Sequence, residues 1–168
     1  MKRIILLGSG GAGKSTLARK LGEKLAIHVF HLDQFFWQAN WVLRNEEAQI
    51  TIHEKVLQAD TWIIDGNYSA TLRRRIEAAD TIIFIDRNRW VCIYQVLKRS
   101  WHYRGTARPD MQAECREHFD WDFIKWLWCF PKNSKPPIEQ ALKQLPHSKQ
   151  LIVLKNKKQI EAFVDSLQ

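Results

Sequence analysis

The chain has 168 residues, of which 45% are hydrophobic and 26% are charged. This composition is typical of one soluble globular domain and excludes an intrinsically disordered chain. The net charge of +8 favours an anionic partner, but it does not distinguish nucleic acid, phosphorylated metabolites and a membrane surface. The three cysteines lack the spacing of a disulfide framework or a zinc site, so we expect a cytoplasmic location. No apolar run reaches the roughly 20 residues of a membrane span, so we expect no membrane partner.

Short, continuously apolar runs alternate with helical patterns along the chain. The runs lie at residues 4–7, 28–32, 62–64, 82–85 and 151–154, and the second is the weakest. Continuous apolar runs are typical of parallel strands that are buried on both faces, and helices with apolar residues at four-residue steps would cover them. The pattern predicts an open, doubly wound α/β fold with a five-stranded parallel sheet flanked by helices, in one domain over residues 1–168. In such a fold, ligands bind at the carboxyl ends of the strands.

The segment after the first predicted strand carries the pattern GxxxxGK[ST], since residues 8–15 read GSGGAGKS. In this motif the glycines let backbone N–H groups wrap a phosphate, and the N-terminus of the following helix adds a positive dipole. Lys14 neutralises the β and γ phosphates, and the Ser15 hydroxyl binds Mg²⁺. The complete motif between a strand and a helix predicts ATP with Mg²⁺ rather than a glycine-rich turn without a ligand. The predicted nucleotide-binding residues are Gly8, Gly10, Gly11, Ala12, Gly13, Lys14, Ser15 and Thr16.

Asp65 comes directly after the apolar run 62–64. A carboxylate at the end of a buried strand beside the P-loop can hold a Mg²⁺-bound water, as a Walker B acid does. We therefore predict that Ser15 and Asp65 form the magnesium site. The alternative is an aspartate that caps the following helix.

Four segments together resemble a known group of enzymes: the P-loop at residues 8–15, HLD at 31–33, WIIDGNY at 62–68 and RPDM at 108–111. On these motifs the chain is similar to the adenylate-kinase-like P-loop kinases and, within them, to the bacterial proteins labelled topology modulation protein. The resemblance covers nearly the whole chain. It implies transfer of the ATP γ-phosphoryl group to a small acceptor.

The resemblance also implies a role for Asp33. Kinases of small hydroxyl acceptors that resemble this chain place an acid here to orient or deprotonate the attacking hydroxyl, and phosphoryl transfer depends on such alignment. The alternative is a turn residue with a local hydrogen bond. Arg99 resembles the end of the helix before the lid of adenylate kinases, where two arginines contact phosphates. Gln95 stands in place of the first arginine, which weakens the case for a nucleoside monophosphate acceptor.

The segment from about residue 103 to residue 135 is long enough to form a lid with a helix of its own, predicted at about 117–130. Arg104 and Arg108 flank a small polar loop that can swing guanidinium groups onto phosphates as it closes. A solvated basic loop is the alternative. The aromatic residues of the predicted lid helix are interpreted most simply as core: Phe119, Phe123, Trp126 and Phe130.

The segment of about residues 34–60 is predicted to lie on the acceptor side. Trp37 and its aromatic neighbours can form a stacking wall for a planar acceptor, with core packing as the alternative. Asn67 and Tyr68 follow Asp65 and are predicted to make polar contacts with the acceptor. Residues 73–75 are three consecutive arginines, which are interpreted as a solvated basic face.

The leading hypothesis is an ATP-dependent kinase with a nucleoside-like or nucleotide-like small-molecule acceptor. Its predicted catalytic residues are Lys14, Asp33, Arg99 and Arg108, and Arg104 is a predicted ATP contact. The alternatives are a kinase of a hydroxylated metabolite and a nucleotide-dependent regulatory protein that binds nucleic acid. The sequence carries no recognisable DNA-reading motif, so it does not favour nucleic acid, and it does not indicate an oligomeric state.

Overall fold

The computed structural model describes residues 1–167. It contains seven strands within these residues, and five of them form a central sheet. Gln168, the last residue of the predicted domain, lies outside the described residues. The strands are β1 (Arg3–Gly8), β2 (Val29–His31), β3 (Trp37–Gln38), β4 (Val42–Leu43), β5 (Trp62–Asp65), β6 (Thr81–Ile85) and β7 (Gln150–Leu154). The central sheet has the order β2–β5–β1–β6–β7, and all of its strands are parallel. The predicted five-stranded parallel sheet is confirmed.

Eight α-helices accompany the strands within the described residues. They are α1 (Lys14–Leu25), α2 (Leu32–Phe36), α3 (Glu46–Leu57), α4 (Ser69–Ala78), α5 (Arg89–His102), α6 (Trp121–Asn133), α7 (Lys135–Lys143) and α8 (Lys157–Ser166). β3 and β4 pair antiparallel in a small hairpin between α2 and α3. Of residues 1–167, no helix combines the length and the apolar composition needed to cross a membrane.

The continuous apolar strands serve two cores, one on each face of the sheet. In β1, Ile5 and Leu7 belong to a cluster that also receives α3, α4 and α7 residues, whereas Ile4 and Leu6 belong to a cluster with α1 residues. All four side chains are fully buried. Alternate residues of one strand therefore stabilise opposite layers, which explains why the strand sequence does not alternate between apolar and polar residues.

Two predicted elements differ from the structure at their ends. β2 stops at His31, and Asp33 lies in the first turn of α2 rather than at the end of the strand. The lid helix was predicted at about 117–130, but α6 begins after Asp120, whose side chain accepts hydrogen bonds from two backbone N–H groups of the first turn. α6 also continues through Pro131, so that proline does not end the helix.

Candidate active site

The P-loop joins β1 to α1 at the carboxyl edge of the sheet. Gly8 and Gly11 have positive φ angles of 142° and 70°. A Cβ at Gly8 would lie 2.4 Å from the Ile85 carbonyl oxygen, and one at Gly11 would lie 2.3 Å from the Cys92 carbonyl oxygen. Only glycine fits this close approach of the loop to β6 and α5. The Lys14 ammonium donates hydrogen bonds of 3.0 Å to carbonyl oxygens of the loop.

A cavity of about 800 Å³ opens over the P-loop. It lies at the carboxyl edge of the sheet, where ligands of this fold class bind. Its lining includes these predicted site residues: Gly10, Gly11, Gly13, Lys14, Ser15, Thr16, Asp33, Trp37, Asp65, Asn67, Tyr68, Arg99 and Arg108. The fold therefore brings most of the predicted nucleotide, metal, acceptor and catalytic residues to one place.

Asp65 is buried at the end of β5 and pairs with a histidine of the neighbouring strand. His31 Nδ1 lies 3.0 Å from Asp65 Oδ2, and both side chains are largely inaccessible. Burial alone would raise the pKa of Asp65, but the hydrogen bond with His31 and the charge of Lys14 outweigh burial and lower that pKa. Asp65 is thus held as a carboxylate beside Ser15. It does not cap α4, whose N-cap is Tyr68.

Asp33 faces the same cavity and accepts a hydrogen bond from a tyrosine side chain. The Tyr68 hydroxyl donates a hydrogen bond of 2.7 Å to Asp33 Oδ1. Burial and the nearby charge of Asp65 raise the pKa of Asp33, while Tyr68, Arg108 and Lys14 act to lower it. Burial and the Asp33 charge raise the pKa of Tyr68, so the phenol stays a hydrogen-bond donor. The Asp33 side chain therefore makes a long-range hydrogen bond with Tyr68. The local hydrogen bond of a turn residue, which was the alternative prediction, does not describe it fully.

Arg108 and Arg99 meet at a buried glutamate. Arg108 Nε lies 2.7 Å from Glu117 Oε2, and Arg99 Nε lies 3.5 Å from Glu117 Oε1. Ser100 donates a hydrogen bond of 2.9 Å to the same Oε1 atom. Burial and the neighbouring Arg108 charge lower the pKa of Arg99. Arg108 is itself buried and lines the cavity, so the loop that carries it lies over the site.

The lid segment also contacts the acceptor side directly. The Gln34 side chain donates to the Pro109 carbonyl at 2.8 Å, and the Gln112 side chain donates to the Gln34 carbonyl at 2.7 Å. Trp41 Nε1 donates to the Arg116 carbonyl at 3.0 Å. These hydrogen bonds hold the lid against residues 34–41 and close one side of the cavity.

Comparison with solved structures places this architecture among kinases. Shikimate kinase from Bacteroides thetaiotaomicron has a TM-score of 0.55 at 18% identity, over 99% of this chain and 96% of that one. Deoxyadenosine kinase from M. mycoides, with the products dCMP and dCDP bound, has a TM-score of 0.54 at 18% identity, over 98% and 97%. Shikimate kinase from Acinetobacter baumannii in complex with shikimate has a TM-score of 0.58 at 11% identity, over 98% and 89%.

The chain has the fold of P-loop kinases. No protein-family model matches the sequence, and no curated protein matches it. At these identities the structural likeness describes the fold, so the activity is argued below from the residues of the cavity.

Three predicted nucleotide contacts lie outside the cavity lining. Ala12 is fully buried, and the backbone of Gly8 is bound by Asn67, whose Oδ1 accepts from the Gly8 N–H at 3.2 Å and whose Nδ2 donates to the Gly8 carbonyl. Asn67, predicted as an acceptor contact, therefore supports the P-loop. Arg104 is exposed and pairs through its backbone with Glu117, so the structure does not bring its side chain to the site.

The aromatic residues near the lid helix are not a core stripe, apart from Phe130. Phe119 and Trp126 are exposed, Phe123 is half-buried, and all three line the cavity. The Phe123 and Trp126 rings stack with centroids 5.5 Å apart. The stripe prediction failed because α6 packs beside the P-loop opening rather than under the sheet. These rings instead form an aromatic wall of the cavity, on the side of α6.

The sequence did not predict the contacts that three residues make with the candidate site. His31 was noted in a motif without a role, Glu117 was assigned only to the lid helix, and Arg75 was interpreted as part of a solvated basic face. Arg75 is in fact fully buried, and its guanidinium donates to the carbonyls of Gly66 and Tyr68. It thereby fixes the turn that carries the site. The spacing of Arg75 within α4 was the available signal, since it lies four residues after the buried Thr71 and so on the same face of the helix.

Proposed function

We propose that the protein is an ATP-dependent, Mg²⁺-dependent kinase that transfers the γ-phosphoryl group to a hydroxyl of a small acceptor. One observation carries the proposal. The lining of one cavity combines the P-loop and Lys14 with the Asp33–Tyr68 pair and Arg108. Phosphoryl transfer needs this arrangement, because its catalysis consists mainly of alignment and charge stabilisation.

The residues present fit ATP with Mg²⁺. A Cβ added at Gly13 would meet no atom within 4 Å, so the loop is open toward the cavity at that residue. Asp65 Oδ1 is buried and has no hydrogen-bond partner within residues 1–167. Ser15 and Asp65 would hold Mg²⁺, which when bound neutralises charge on the phosphates. The described residues contain no group of three His, Cys, Asp or Glu side chains that could hold a metal ion.

Asp33 is proposed to orient the acceptor hydroxyl and to accept its proton. The carboxylate has one oxygen bound to Tyr68, which restricts its rotation. Burial raises the pKa of Asp33 above its ordinary value, which makes the carboxylate a better proton acceptor than an exposed aspartate. Arg108 and Lys14 are proposed to stabilise the charge that develops during transfer.

The charges of the cavity support an uncharged hydroxyl acceptor over a nucleoside monophosphate. Arg99 and Arg108, the two arginines beside Asp33, share the carboxylate of Glu117, and Arg108 also lies 3.4 Å from Asp110. Their combined positive charge is therefore balanced within the protein. An acceptor phosphate would have to compete with Glu117 and Asp110 for these two arginines, whereas the rings of Trp37 and Phe123 can contact a planar body.

A nucleoside-like acceptor is thus the proposed class, with a non-aromatic hydroxylated metabolite as the second candidate. The structural neighbours include one kinase named for deoxyadenosine and two named for shikimate, which agrees with either class. We also propose membership of the topology modulation protein group on the four shared motifs. That label names no reaction and does not alter the choice of acceptor.

The test is a coupled assay of ADP release with Mg²⁺ against nucleosides, nucleoside monophosphates and sugar acids, with Lys14→Ala as the blank. We expect acceptor-dependent ADP release that is highest with nucleosides and falls by at least about 100-fold in the Lys14→Ala variant. Equal rates in the folded variant would refute the P-loop assignment. A preference for monophosphates would refute the uncharged acceptor. Salt-dependent binding of DNA without phosphoryl transfer would favour the regulatory alternative.

A further inference from the structure

The outward face of α5 is apolar although it faces solvent. Trp90, Tyr94, Leu97 and Trp101 follow one another at steps of four, three and four residues, so they form one stripe along the helix. All are exposed, with exposed fractions of 62% for Trp90, 61% for Tyr94 and 79% for Trp101. The residues that α5 buries lie on its opposite face. The stripe is therefore no part of the core.

α6 carries a second outward stripe with the same spacing. Trp121, Lys125, Trp128 and Lys132 are all exposed, and the residues that α6 buries lie opposite them. The two stripes meet where the rings of Trp90 and Trp128 pack edge to face, with centroids 4.9 Å apart. The eight residues of both stripes together are called the tryptophan face.

The tryptophan face is large for a surface without a partner. From the exposed fractions of its six apolar side chains, it presents on the order of 600 Å² of mostly apolar area. The largest apolar patch of a typical monomer is roughly 300–600 Å² and is often functional. Its area and its content of tryptophan and lysine point to a binding surface.

We propose that the tryptophan face docks on an anionic lipid surface. Tryptophan and tyrosine rings favour the headgroup region of a bilayer, where one ring edge is wet and the rest is apolar. Leu97 would enter the acyl boundary, and Lys132 would extend to anionic headgroups. Lys125 lies 3.3 Å from the exposed Asp122 carboxylate and would exchange that ion pair for a headgroup. The net charge of +8 adds attraction over a longer range.

The observations favour a lipid surface over two other occupants. A second copy would place its own Lys132, and a Lys125 that is already paired with Asp122, against the same residues of the first copy, which adds like charge without a new acidic partner. For single-stranded nucleic acid, bases need open ring faces, but the Arg89 guanidinium lies over the Trp128 ring at 4.6 Å. Leu97 adds nothing to base stacking, whereas a bilayer gains from its burial. Docking on the surface of a bilayer requires no membrane-spanning helix, so it is compatible with the short apolar runs of this sequence.

The tryptophan face is separate from the catalytic cavity. Among residues 1–167, none of the residues that line the cavity belongs to the tryptophan face. Its helices contact the P-loop through other residues, since a Cβ at Gly10 would lie 2.7 Å from the Phe123 ring and one at Gly11 would lie 2.3 Å from the Cys92 carbonyl oxygen. Docking therefore leaves the ATP site open, and changes on this face should leave ATP turnover in solution unchanged.

The test is co-sedimentation of the full chain with vesicles of phosphatidylcholine and phosphatidylglycerol in equal parts, and with pure phosphatidylcholine. We expect binding to the anionic vesicles with a blue shift of tryptophan fluorescence. We expect Trp90→Gln/Trp101→Gln to weaken binding at least about tenfold and Lys125→Gln/Lys132→Gln about thirtyfold. The matched control is Lys157→Gln/Lys158→Gln on α8, which removes two exposed lysines elsewhere and should have a much smaller effect. Circular dichroism verifies the fold of each variant.

Four results would overturn the proposal. The first is no sedimentation with anionic vesicles, and the second is equal binding by the tryptophan variant and the wild type. The third is a dimer in light scattering that the same variant abolishes, because the face would then belong to a second copy. The fourth is binding of a single-stranded oligonucleotide that this variant abolishes while vesicles are not bound.

Discussion

The hydroxyl of Tyr68 donates a 2.7 Å hydrogen bond to the Asp33 carboxylate, joining the turn after β5 to the first turn of α2. This hydrogen bond favours the ionised carboxylate, whereas burial favours the protonated form. The balance between the two sets the pH at which Asp33 can accept a proton. Tyr68 is therefore more than a polar contact for the acceptor.

Tyr68→Phe should move the acid limb of the kcat/KM profile to higher pH. The variant removes a hydrogen bond that lowers the pKa of Asp33, so the carboxylate needs a higher pH to ionise. Activity that depends on the ionised form is present above that pKa and is lost as the pH falls through it. The measurement is the pH profile of ADP release with saturating ATP. The exposed Tyr94→Phe serves as control, and an unshifted profile for Tyr68→Phe would contradict this role.

Asp33→Asn should lower turnover by about 10²-fold to 10⁴-fold, the usual contribution of a positioned general base. ATP affinity should change little, since the acid acts on the acceptor side of the cavity. Turnover is measured by ADP release and affinity by titration with Mg-ATP. The exposed Asp60→Asn makes the same chemical change away from the site and should behave as wild type. An equal loss of Mg-ATP binding would assign Asp33 to the metal site.

The sequence predicted the parallel sheet and the P-loop because both depend on local patterns. Continuous apolar runs such as residues 4–7 specify strands buried on both faces, and the glycines of residues 8–13 specify a phosphate loop. The partners of charged side chains depend instead on distant contacts. His31–Asp65 joins β2 to β5, and Arg108–Glu117 joins two parts of the segment between α5 and α6, so no spacing along the chain indicated them.

Boundaries and burial were predicted less well where tertiary contacts override local preference. The lid helix was predicted to end at about residue 130, but α6 continues through Pro131 to Asn133. Arg75 is buried because the turn after β5 offers it two carbonyl acceptors, a feature that three consecutive arginines do not reveal. The aromatic residues of the lid line a cavity because α6 packs against the P-loop. Periodicity alone cannot distinguish that position from a core position.

We expect the free energy of unfolding to fall in acid because of His53. It is fully buried on α3, and neither ring nitrogen has a hydrogen-bond partner in the part of the chain that the structure describes. Burial and the charges of Arg75 and Arg74 lower the pKa of His53 to about 4. An unfolded histidine titrates near 6.5, so between these values the unfolded state binds more protons and stability rises with pH.

The expected contribution to the free energy of unfolding is about 3 kcal/mol, present above pH ~6.5 and lost as the pH falls to ~4. Urea unfolding of the wild type, His53→Phe and the exposed His147→Phe across this range measures it. The His53→Phe curve should be flatter than the other two. A wild-type slope in that variant would show that His53 does not control the acid limb of stability.

Arg108 should contribute to turnover more than to ATP binding. Its guanidinium is buried in the cavity and is held by Glu117 at 2.7 Å, so it is already oriented before transfer begins. A fixed cation that meets charge developing on the phosphoryl group stabilises the transition state more than the ground state. Contacts of this kind contribute on the order of 10³-fold in related phosphoryl-transfer enzymes. We therefore expect Arg108→Ala to lower kcat by about that factor with little change in ATP affinity.

Two further variants make the Arg108 experiment specific. Arg108→Lys should recover only part of the rate, because an ammonium cannot reproduce the planar fork that binds Glu117 and a phosphate together. Arg104→Ala removes an exposed arginine from the same loop, outside the cavity lining, and should keep wild-type turnover. ATP titration and ADP release on all four proteins measure these effects. If Arg104→Ala lost activity and Arg108→Ala kept it, the loop would have to move Arg104 into the site during turnover, and Glu117 would hold Arg108 only as structural support for the lid.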